Sequence, residues 1–177
     1  MKNTLEFSKW FLLSSSLVFC LMSGTTASAQ TQTNKLRIGV YDSRAVAVAY
    51  ANSTEFQEML TAKHADYEKA RAAKDEKRMK EIDSWMKLQQ RWVHEQTFST
   101  GSVAGTVARV RGALPAVAKK AGVQAIVSKW EMNYQGPNVE VVDVTEDLAV
   151  LFHASDNGQK WRGILKHAPL PMDQVDD

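Results

Sequence analysis

The sequence predicts an α+β chain: a small β-body made from both chain ends, with a long α-helical hairpin or coiled-coil arm inserted between them. Three observations predict it. Residues 36–42, Leu-Arg-Ile-Gly-Val-Tyr-Asp, alternate apolar side chains at Leu36, Ile38 and Val40. Residues 123–127 and 139–144 are two further β-branched apolar runs. Such runs suit a pleated, half-buried surface and read as strands. About eighty residues of helical character separate the first run from the other two.

Residues 1–29 read as an export signal and are set aside from the fold. Lys2 and Lys9 give a positive start, residues 10–22 an apolar stretch too short to span a bilayer well, and Ala27-Ser-Ala29 an A-x-A cleavage site. Phe19 stands where a lipobox needs a small residue, so Cys20 is read as part of the removed peptide. Residues 30–177 then carry no cysteine, hence no disulfide, thiol nucleophile or thiolate metal site. The expected location is the periplasm, with no stable membrane span after cleavage. Residues 30–34 form a polar leader, expected to be mobile.

Residues 35–53 hold the first part of the body, a strand followed by a short helix. Ser43 is a candidate cap for residues 44–51, which are rich in Ala and Val. The arm covers 54–121. Asn52 or Ser53 would cap its first helix. Residues 54–96 contain neither proline nor glycine, which favours helix throughout. Phe56, Met59, Leu60 and Tyr67 form one apolar stripe. Met79, Ile82, Met86 and Val93 form another, with Trp85 and Trp92 beside it. Residues 70–77 lack large apolar side chains, and Asp75 suits an N-cap. Two positions for the hairpin tip stay open: near residue 74, and at 98–102, which has the stronger turn chemistry. A bend near 74 and a second break at 98–102 are expected.

On the return, Val103, Val107, Val110, Leu114, Val117 and Ala121 follow a 4-3-4-3-4 spacing, a heptad seam. Gly112 and Pro115 predict a kink at 112–115. Lys119, Lys120 and Gly122 are helix-stop residues. The second part of the body covers 122–154, with two strands and a helix at 146–153. The Gln-Gly-Pro-Asn cluster at 135–138 predicts a reversal between those two strands. The predicted body core is Leu36, Ile38, Val40, Ile126, Val127, Val141 and Val144. A tail covers 155–177. Either Trp161, Ile164 and Leu165 make one helical turn that docks on the body, or the tail is unstructured, which its Pro and Asp content favours.

Charge excludes a bulk electrostatic case for nucleic acid. Setting aside Lys2, Lys9 and Glu6 leaves 20 basic and 19 acidic side chains. No catalytic constellation is present. The four histidines, His64, His94, His153 and His167, share no metal-ligand spacing. No phosphate-binding glycine motif and no G-x-S-x-G occurs. Asp42, Asp143 and Thr145 read as strand ends and caps rather than acid, base or nucleophile. The chain is therefore expected to act without enzyme chemistry, cofactor or metal. Met79, Trp85, Met86 and Trp92 are the candidate contact residues for a protein partner, since Met and aromatic side chains suit adaptable binding.

Four blocks in order resemble the OmpH/Skp family of periplasmic chaperones. They are the export signal, Lys-Leu-Arg-Ile-Gly-Val-Tyr-Asp-Ser-Arg-Ala-Val at 35–46, Val-Ala-Lys-Lys-Ala-Gly-Val-Gln-Ala-Ile-Val at 117–127, and Val-Val-Asp-Val-Thr-Glu-Asp-Leu at 141–148. The matched blocks cover roughly 35–51 and 116–152. The resemblance implies a homotrimer with a shared β-body, helical tentacles, and unfolded outer-membrane or envelope proteins held between them without ATP. It supplies no catalytic residue. This chain departs from the family pattern in its shorter excursion, its near-neutral charge and its tail.

Overall fold

The computed structural model describes residues 35–152 and 161–175. The expected signal at 1–29 and leader at 30–34 lie outside the described residues, as does part of the tail.

Strand β1, Leu36–Tyr41, lies at the centre of a three-stranded sheet. Strands β2, Ala125–Ser128, and β3, Val139–Asp143, flank it in the order β2-β1-β3. Both pair with β1 in parallel, Ile38 standing between Ala125 and Val141, and Val40 between Val127 and Asp143. The 135–138 turn exists, with the Val139 N–H donating to the Gly136 carbonyl at 3.1 Å. The expected reversal, however, does not leave β2 and β3 opposed. Residues 129–138 carry the chain back before the turn, so β3 starts at the same end of the sheet as β2. β1 supplies the ladder for both.

Seven α-helices among the described residues complete the α+β fold. Helix α1, Ser43–Ala51, is capped by Asp42, whose carboxylate accepts from the Arg44 N–H; the cap lies one residue before the expected Ser43. Residues 43–49 are all buried. Their Ala and Val side chains let α1 sit close to its neighbours on every side. Helix α2, Thr54–Ala72, is capped by Ser53. Helix α3, Glu76–Phe98, is capped by Asp75. Between them Lys74 takes a left-handed conformation, φ 56°, and the chain reverses. The two helices form a hairpin, and α1 packs on α3.

A second break follows α3, with Gly101 folded back so that its N–H donates to the Glu95 carbonyl. A Cβ there would stand 2.8 Å from that oxygen, so the turn requires glycine. The return has three pieces: α4, Ala104–Arg109; a 3-10 turn, Arg111–Ala113; and α5, Leu114–Ala121. Pro115 sits in the first turn of α5, where its missing N–H costs nothing, and the kink falls just before it. Gly122 (φ 65°) ends α5 in a Schellman motif. Val123 donates to the Ala118 carbonyl there, so β2 begins later than the expected 123.

Helix α6, Thr145–Ala149, runs into a 3-10 turn, Val150–Phe152. Helix α7, Trp161–Ile164, packs on α1. A last 3-10 turn covers Met172–Gln174. The core joins α1 to Tyr41, Val117, Val144, Leu148 and Phe152. Of the expected body core, Val40 and Val144 are buried, whereas Ile38, Ile126, Val127 and Val141 are half-buried and Leu36 is 47% exposed. No helix among the described residues is long and apolar enough to cross a membrane.

Candidate functional site

Where α1, α2, α3 and α4 meet, a cavity of about 280 Å3 opens. The sequence builds it from three local features. Ser53 caps α2 and turns the chain, which sets Phe56 and Met59 against the end of α1. The α3 stripe at four- and three-residue spacing brings Trp85, Gln89, Trp92 and Gln96 onto one side. The Gly101 turn then returns α4, and Gly105, Thr106 and Arg109 close the remaining wall.

The aromatic rings interlock. Tyr50 meets Phe56 edge-on at 5.2 Å and Phe152 at 5.8 Å. Arg109 stacks 5.0 Å from the Tyr50 ring centre and pairs with Glu55. Burial pushes the Tyr50 hydroxyl above its ordinary range, against the opposing effect of the Arg109 charge. Lys63 stands 5.2 Å from the Trp85 ring centre. Trp85 is half-buried and Trp92 is 49% exposed. The lining is largely apolar and aromatic, with the Gln89 and Gln96 amides and the Thr106 hydroxyl among it. It can bind and desolvate an apolar group.

Of the four expected contact residues, Trp85 and Trp92 share this cavity. Met86 instead lines a smaller hollow of about 150 Å3 between α2 and α3, with Lys63, Tyr67 and Ile82. Met79 is half-buried near the hairpin tip and lines neither. Sequence reading did not bring Tyr50, Phe56 or Arg109 to the tryptophans. The helical stripes were visible, but which faces meet depends on the turns at 53 and 101.

A second polar constellation lies at the carboxyl ends of β1 and β2. Asp42 is fully buried and Arg44 is 3% exposed. One Asp42 oxygen accepts from the Arg44 N–H and Nε and from Trp130 Nε1 at 3.0, 3.1 and 3.3 Å. The other accepts from Arg44 Nη2 and Lys129 Nζ at 2.8 and 2.7 Å. Burial pushes the Asp42 carboxyl up, but the hydrogen bonds and charges of Arg44 and Lys129 outweigh it and hold it at about 2. Thr145 Oγ1 accepts from the Asp42 N–H, and the His167 carbonyl accepts from Arg44 Nη1. Five donor contacts from within the chain already end on this fully buried carboxylate, so this is an internal tie, not an open site. Among the described residues no three His, Cys, Asp or Glu side chains gather as metal ligands.

Comparison of the chain with protein-family models, with curated proteins and with solved structures finds no match in any of the three.

Proposed function

We propose that this chain is an exported, ATP-independent holdase of the OmpH/Skp kind, binding unfolded outer-membrane or envelope proteins in the periplasm as a homotrimer. One observation carries the reading. Helices α2 and α3, of 19 and 23 residues, bury only Phe56, Ala70, Ile82 and Thr97. A seam that thin is not a globular core. In this reading the hairpin is an arm, and the aromatic cavity at its base is a place where apolar client groups leave water. The sheet with α1 and α6 is the body. Its half-buried residues Ile38, Val127 and Val141, with exposed Leu36, are where copies of the chain meet.

The test has two parts. Light scattering of the chain over a concentration range should give three times the monomer mass. The chain should then delay aggregation of a urea-unfolded outer-membrane protein diluted into buffer, without ATP. No delay for any such protein refutes the holdase. A monomer at all concentrations refutes the shared body.

Near-neutral charge favours a second reading, an envelope protein that grips one folded partner with the same arms, since it gives little electrostatic pull on unfolded chains. Pull-down dominated by one folded partner would select it.

A further inference from the structure

We infer that the cavity between α1, α2, α3 and α4 receives one aromatic side chain of an extended polypeptide, with an acidic residue beside it. The inference deepens the holdase reading and rests on it for the source of the ring. Size sets the first limit. An apolar cavity of about 150 Å3 is enough to take up benzene. The 280 Å3 here holds a phenyl or indole ring and its attachment, and is too small for a helix.

The walls set the chemistry. Tyr50, Phe56, Trp85 and Trp92 offer ring faces and edges, and Met59 a polarisable thioether, the surroundings in which an added ring finds offset and edge-on contacts. Trp92 keeps half its surface in water at the rim, and an incoming ring would cover it. The Gln89 amide has no hydrogen-bond partner among the described residues and lies on the wall, where a peptide group next to the bound ring can use it. Charge sets the neighbour. Arg109 is already paired with Glu55. Lys63 has no carboxylate partner among the described residues and sits over the Trp85 ring, so it is the cation an acidic neighbour would meet.

The test uses the full chain and a short peptide of Gly, Ser and Asp around one central Phe, followed by the tryptophan emission of the protein. Replacing the peptide's Phe with Ala should weaken binding about tenfold to a hundredfold. Gly105 is part of the wall, and a Cβ there meets nothing within 4 Å. Gly105→Phe therefore adds a ring at this wall with no clash at its Cβ, and should diminish the Phe-to-Ala difference. Gly112→Ala, where a Cβ also meets nothing, should not. Changing the flanking Asp to Ser should cost about twofold to fivefold in the wild type and nothing in Lys63→Gln.

Equal binding of the Phe and Ala peptides, or an undiminished difference in Gly105→Phe, overturns the inference. N-acetyl-phenylalaninamide binding as tightly as the peptide overturns the polypeptide source. Aggregation assays on the same proteins separate the two proposals. A chain that delays aggregation equally well as Gly105→Phe keeps the holdase and loses the cavity. A chain that binds the Phe peptide selectively but delays no aggregation keeps the cavity and loses the holdase.

Discussion

Replacing Asp42, at the end of β1, with Ala removes the anion on which Arg44 of α1 and Lys129 and Trp130, just after β2, converge. Five donor contacts end on its carboxylate, three from Arg44 and one each from Lys129 and Trp130. Lys129 is about one-third exposed and can turn to water. Arg44 cannot, because its side chain is 4% exposed, and in the variant the His167 carbonyl is its only remaining acceptor among the contacts described. An uncompensated buried charge of this kind costs about 3–5 kcal/mol, and the lost α1 cap is contained within that figure rather than added to it. For a domain of ordinary stability that is a large fraction of the total. Urea unfolding followed by far-ultraviolet circular dichroism measures it, at unchanged m. The double variant Asp42→Ala/Arg44→Met should recover most of the loss, since removing both partners leaves no stranded charge. A single-variant cost under about 1 kcal/mol would refute the argument. So would a double variant less stable than the single one.

The same carboxyl makes stability depend on acid. Its folded-state value, about 2, lies below the ordinary 3.8. The stabilisation is therefore fully present above pH 3.8 and is lost as pH falls through about 2. The shift corresponds to about 2 kcal/mol, so wild type and Asp42→Asn should differ less at pH 2 than at pH 6 by about that amount, read from urea midpoints. Leu148→Ala, at a fully buried α6 position, should cost about 2–5 kcal/mol in the same assay. Lys74→Gly should stabilise by about 0.5–1 kcal/mol, because Lys74 holds a left-handed conformation that glycine adopts freely. If copies of the chain meet through the sheet as proposed, Val141→Asp, which places a charge on its half-buried face, should lower the mass seen by light scattering toward that of one chain, with far-ultraviolet circular dichroism largely retained.

Much of the fold was written locally and could be read locally. Ser53 and Asp75 announce α2 and α3 because a side-chain oxygen beside an orphan N–H needs only a few residues of context. Gly122 ends α5 for the same reason, as a residue free to take φ 65°. Gly112 and Pro115 announced a kink at 112–115; the break falls slightly earlier, at 110–113, because Pro115 is accommodated in the first turn of α5. Strand pairing was not legible in this way. β1 and β2 are separated by the whole helical stretch, and nothing in either run states which strand takes the centre. A Gly-Pro-Asn turn reports that the chain bends. Where the chain goes after the bend depends on the residues on either side of it.

The candidate site divides along the same line. The spacing of Trp85 and Trp92 gave their common helical face, and that much is a property of α3. Their partners are properties of other turns: Tyr50 closes α1, Phe56 opens α2, and Arg109 ends α4. Asp42 shows the opposite case. The sequence marked it as a strand end or cap, with Ser43 expected to cap α1, yet its partners Trp130 and Thr145 lie 88 and 103 residues away. A cap needs one neighbouring N–H, whereas this carboxylate also offsets two cations at the joint between the chain's ends. The distinction decides how each site should fail. Damage at the cavity should change what the chain binds while leaving it folded. Damage at Asp42 should unfold the base on which the cavity stands, so any loss of binding there must be read against the fraction of chain still folded.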